Sequence, residues 1–155
     1  MQIEDLAVNA LRCLEIGGQS HPNDELLIIY DGKNPYKKQL ANAMYEEASR
    51  RDVFTCVEDF DELLEGSNEN AALAAFQKRL AYSSDDPLKR NAISLLPPVA
   101  VYTTLRRKVI KSLLEQNAYV LAMPFARQET AEAILSVNPD EVEGIALAMK
   151  VKKED

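Results

Sequence analysis

The sequence has no tryptophan, one histidine, two cysteines and five glycines among its 155 residues. Each scarcity removes a class of chemistry. One histidine and two cysteines cannot supply the Cys/His ligand sets of structural zinc, so no metal site is expected. Two cysteines are too few for a disulfide framework, and a chain of this length does not need one to hold a core. Cys13 falls in an expected helix and Cys56 in an expected strand, and both read as small buried side chains. A nucleophilic cysteine would need a base, and the sole histidine, His21, lies in a linker. No Ser/His/Asp arrangement can be assembled either, so no catalytic residue is assigned.

Long apolar runs are also missing. None approaches the ~20 residues of a membrane-spanning helix. The start, Met1, Gln2, Ile3, Glu4 and Asp5, lacks the basic and apolar regions of a signal peptide. A cytoplasmic chain without membrane contact is expected. Positive charge is in deficit, with 18 basic against 25 acidic side chains and a formal charge of −7. Nucleic-acid binding needs Lys and Arg to displace condensed counterions, so nucleic acid is not an expected partner. The densest basic group, Arg106, Arg107 and Lys108 with Lys111, reads as a solvated helix face.

What is present is a 46% apolar share, enough for a core, in a length that suits one domain over residues 1–155. Ile3, Leu6, Ala7, Ala10, Leu11 and Leu14 recur at helical spacing and predict a helix over 3–15, stopped by Gly17 and Gly18. Leu26, Leu27, Ile28, Ile29 and Tyr30 are apolar on both faces, the mark of a parallel strand covered on both sides. Asn34 and Pro35 then signal a helix start, and the helix runs to Arg51. A second strand is expected over 53–57. Shorter helical pieces follow at 60–64 and 73–80, then a loop at 83–87 and a helix ending before Pro97 and Pro98. A third strand is read at 99–102, a helix at 105–116 and a fourth strand at 119–123, closed by Pro124. Helices at 127–136 and 139–151, the latter capped by Asn138 and Pro139, precede a charged tail at 150–155 that frays. Strands separated by helices imply an α/β fold of the Rossmann-like or flavodoxin-like kind. It would be an open, mainly parallel four-stranded sheet with helices on both faces.

In such a sheet ligands bind where the strands' C-terminal loops converge. Those loops carry Asp31, Lys33 and Asn34, then Glu58, Asp59 and Asp61, then Thr103 and Thr104, and finally residues 123–127. One reading is helix capping and turn chemistry at Asn34 and Thr104. The other is a pocket for a small anionic ligand, built from Asp31, Asn34, Glu58, Thr103, Thr104 and Arg106. Nucleotide fingerprints are lacking: the turn 31–35 after the first strand holds one glycine, Gly32, where G-x-G-x-x-G needs three, and no G-x-x-x-x-G-K-[ST] occurs. No cofactor is expected. Asp59, Phe60, Asp61 and Glu62 lack the spacing of a calcium loop and read as an acidic helix start.

The order of segments resembles a known family. Ala10, Leu11, Arg12, Cys13, Leu14 and Glu15, a Gly-containing linker, then the run from Asp24 to Asp31 look like the start of aminopeptidase T-like (M29-type) metallopeptidases. The run from Asn117 to Pro124, an acidic helix, and the stretch from Val137 to Val142 are similar to another part of the same N-terminal lobe. The resemblance covers about two-thirds of the chain and rests on strands, not catalytic residues. Where the family is rich in Ser, Thr and His, this chain has Thr103, Thr104, Leu105, Arg106, Arg107 and Lys108, and the segment 59–96 is longer. The family's metal ligands belong to a C-terminal domain, so no ligand position carries over.

Three readings stay open. The first is a non-catalytic binding or interaction domain with a protein partner, or a homo-oligomer, since a four-stranded sheet has two edges to cover. The second is a small enzyme or ligand-binding protein, with Asp31 and Glu58 as acid/base groups and Thr103, Thr104 and Arg106 holding an anion. The third is a fragment of a complete metallo-aminopeptidase.

Overall fold

A computed structural model describes residues 2–16, 24–83, 89–123, 128–135 and 150–152. Among them the helices are α1 (Ile3–Cys13), α2 (Pro35–Arg50), α3 (Phe60–Leu64), α4 (Glu69–Tyr82), α5 (Ala100–Glu115) and α6 (Gln128–Leu135). The strands are β1 (Glu25–Tyr30), β2 (Phe54–Asp59), β3 (Arg90–Ser94), β4 (Tyr119–Ala122) and β5 (Lys150–Lys152). They lie in the order β2-β1-β3-β4-β5. The first four are parallel, as the alternation of helix and strand requires, and β5 runs antiparallel to β4.

Alternation along β1 divides the core into two layers. Leu26, Ile28 and Tyr30 face a cluster with Leu6, Leu11 and Leu14 from α1 and its end, and with Leu40 and Met44 of α2. Leu27 and Ile29 face a second cluster with Phe60, Phe76, Leu80, Leu105, Val109 and Leu113 from α3, α4 and α5. Every residue of β1 is buried, whereas β2 at the rim of the sheet is part-exposed at all positions but Glu58.

Three helices end in one way. Glu15, Asp52 and Asn117 take positive φ of 56°, 56° and 61°. After each, an apolar residue's N–H reaches back to the helix: Ile16 to the Leu11 carbonyl, Val53 to Ala48, and Ala118 to Leu113. These are Schellman stops, in which the residue past the turn is buried and locks the exit angle. The first helix therefore stops before the glycines expected to end it, and those glycines lie outside the described residues.

Several expected elements are corrected. Residues 99–102 are not a strand: Val99 caps α5, and Ala100 to Tyr102 form its first turn. The third strand is Arg90–Ser94, within the stretch expected to be helical. Its polar letters mislead, because Asn91 and Ser94 are buried in the sheet, with the Asn91 amide donating to the Glu25 carbonyl at 3.1 Å. Tyr102, Leu105 and Val109 instead continue the apolar face of a helix, and Pro97 and Pro98 end the strand run rather than a helix. Residues 150–152 pair with β4 where a helix end and a fraying tail were expected. His21, Pro124, the cap at Asn138 and Pro139, and the rest of the helix expected over 139–151 lie outside the described residues.

Candidate functional site

The chain leaves β1 for β2 on one side and later reaches β3 on the other, so the crevice beyond the tips of β1 and β3 is where an open sheet of this order offers a site. Asp31, one residue past β1, stands there and is buried. So is Lys37, fully buried on the first turns of α2. Its ammonium is 2.9 Å from Asp31 Oδ1 and donates to the Leu95 carbonyl just past β3 at 2.6 Å. One cation thus ties α2 to the tips of both central strands. Burial pushes the Asp31 carboxyl up and the Lys37 ammonium down from their ordinary values, against the opposing pull of each partner.

The neighbouring acids are also engaged. Asp59 Oδ1 accepts from the Gly32 N–H at 2.8 Å and from the Asp61 N–H at 3.0 Å. A Cβ on Gly32 would lie 1.8 Å from Asp59 Oδ2, so this close approach needs glycine. Asp61 Oδ2 accepts from the Lys33 N–H at 2.8 Å, and its Oδ1 accepts from the Tyr102 hydroxyl at 2.5 Å. Burial and the adjoining Asp61 push the Tyr102 phenol up, which keeps it a donor. Asn34 caps α2 by accepting from the N–H groups of Tyr36 and Lys37.

The residues named from the sequence are thus only partly brought together. Asp31 and Asn34 share the rim, Asn34 in its capping role. Glu58 does not face the rim: it is buried under α4, and both its oxygens meet Arg79 Nη1, at 2.7 and 2.6 Å. Thr103, Thr104 and Arg106 lie inside α5 rather than at a strand tip, because the third strand was misplaced. Thr103 Oγ1 donates to the Val99 carbonyl of its own helix at 3.0 Å, and Thr104 is exposed. The Arg106 Nε is buried without a partner among the described residues.

A cleft of about 370 Å³ opens between β2 and α4, lined by Leu27, Cys56, Val57, Glu58, Phe76, Arg79, Leu80 and Ser83. That volume lies in the ~300–1,000 Å³ range of small-molecule sites, which are likewise mostly apolar with a few placed polar groups. Burial, Glu25 and Glu58 push the Cys56 thiol up, so it stays protonated and is a poor nucleophile. The sequence signals for this site were Phe76 and Leu80, one helical turn apart, and the alternation of Cys56 with Glu58 on one face of a strand. No reading of the sequence joined them.

Among the described residues, no group of three or more His, Cys, Asp or Glu could hold a metal ion, and no helix is long and apolar enough to cross a membrane. No family model matches the chain, and neither a curated protein nor a solved structure matches it.

Proposed function

We propose that this chain is a non-catalytic binding or interaction domain on an α/β scaffold of the kind that forms the N-terminal lobe of M29-type aminopeptidases. One observation carries the reading. At the strand tips the charged groups are spent on the fold itself, Asp31 on Lys37 and Asp61 on Tyr102, while the apolar cleft beside β2 is left open. A cytoplasmic setting belongs to the same proposal, supported by a sequence with too few cysteines for a disulfide framework.

The test is a nuclear magnetic resonance titration of the labelled chain with two small apolar probes, indole and 4-methylphenol, and separately with inorganic phosphate. Saturable shifts of the Leu27, Cys56, Phe76 and Leu80 amides with the apolar probes are expected. No shift at those residues would overturn the reading.

A second reading, a small enzyme or ligand site at the rim, draws on one feature: the Asp31 carboxyl is pushed toward neutrality, as a proton-transfer group requires. Phosphate shifts centred on Asp31 and Asn34 that vanish in Asp31→Asn would favour it. An unchanged titration in Asp31→Asn removes it.

A further inference from the structure

The edge of the sheet at β2 lacks two of the devices that most often protect such an edge, and its charged residues, Glu58 and Asp59, sit only at its C-terminal end. Its six residues, Phe54 to Asp59, include no proline and no lysine, and no described strand pairs on its outer side. Phe54 is 52% exposed on it. The cleft is lined by three consecutive residues of the same strand, Cys56, Val57 and Glu58. Neighbours in a strand point to opposite faces, so a cavity lined by all three borders the backbone of β2.

We propose that an extended, basic segment of a partner protein adds to β2 as a further strand, with one apolar side chain seated in the cleft and its Lys or Arg side chains against the acids that follow. The inference rests on the binding-domain reading and names the partner's chemistry. Charge selects the occupant. Glu62 and Glu65 are exposed on α3 and at its end, just past the C-terminal end of β2, on a chain whose formal charge is −7. A basic strand is drawn to that edge. A second copy of this chain would bring the same acids and a further −7 against it. Strand addition supplies main-chain hydrogen bonds for affinity, and alternate side chains supply specificity. The cleft takes the side chains of one face.

The experiment uses two synthetic nonapeptides with a central Phe, one flanked by Lys at alternate positions and one by Glu, titrated by fluorescence anisotropy. The Lys peptide is expected to bind, more weakly as salt rises, and the Glu peptide at least about tenfold more weakly. Binding is expected to slow hydrogen exchange of β2 amides. Glu62→Lys with Glu65→Lys, both at exposed positions, should weaken the Lys peptide by about tenfold or more while leaving the fold intact. Cys56→Trp, which fills the cleft, should weaken both peptides. Equal binding of the two peptides, indifference to the charge reversal, or a stable dimer in native mass spectrometry that blocks the peptide would each overturn the proposal. Cleft shifts with indole but no peptide binding would sink this inference alone. Loss of both would take the binding-domain reading with it.

Discussion

Lys37 and Asp31 form a buried ion pair whose two members can be tested separately. Lys37 is fully buried, and its partner nearly so. Removing one member of such a pair leaves an uncompensated charge, whereas replacing both with apolar groups is often neutral or better. Lys37→Met is therefore expected to cost about 3–5 kcal/mol at neutral pH by urea denaturation, and Asp31→Val with Lys37→Met about 1 kcal/mol or less. The pH dependence follows from the two shifts. Asp31 has a raised folded-state pKa, so its contribution is present at low pH and is lost as pH rises through that value. Lys37 has a lowered one, so its contribution is present at high pH and is lost as pH falls through it. The charged pair weighs most on stability in the window between. The double variant should compare best with the parent near neutrality and lose ground toward acid and alkali. An advantage that instead grows in acid would contradict the burial assigned to Asp31. In the sequence Lys37 reads as one of two adjacent lysines. Its spacing to Leu40, Ala41 and Met44 put it on the buried face, but charge masked that signal.

At the scale of elements, the helix exits set the geometry of the strands that follow. Val53 and Ala118, each one residue before its strand, β2 and β4, are locked by bonds to the Ala48 and Leu113 carbonyls. The cost lies in a left-handed residue that is not glycine. Asp52→Gly is expected to raise stability by about 0.5–1 kcal/mol in chemical denaturation, and Asn117→Gly by less, since asparagine tolerates this region better. A loss in Asp52→Gly would show that the aspartate makes a compensating contact. These stops also explain what the sequence concealed. The first helix is expected to end at Gly17 and Gly18, whereas it turns at Glu15, and α2 and α5 turn in the same way at Asp52 and Asn117. The first, second and fourth strands were legible because apolar runs fill them. The third was not, because Arg90, Asn91 and Ser94 are polar letters in a buried strand, and the valines of α5 carry strand propensity that helical packing overrides.

For the whole molecule, the acidic surplus governs behaviour in solution. With a sequence pI near 4.8, net charge vanishes there and mutual repulsion with it. Light scattering across a pH series should show a solubility minimum around that value and dispersal toward neutrality. A minimum near neutral pH would mean that charge is not what keeps copies apart. The same surplus makes the choice of partner at β2 a question of sign. The alternation of helices and strands made the parallel layering readable in advance. The site was not readable, because its lining comes from β1, β2 and α4, which only the strand order brings together.

That strand order has a consequence during synthesis. β1 pairs with β3, which joins residues 25 and 90, so the centre of the sheet cannot close while only the first half of the chain has left the ribosome. At ~5–20 residues per second, β3 emerges roughly 3–13 s after β1. For that interval Leu26, Leu27, Ile28 and Ile29 have one flank bare. A bare apolar strand edge of this kind is prone to aggregate, so holding the nascent chain by a chaperone until residue 94 appears would suit it better than early release.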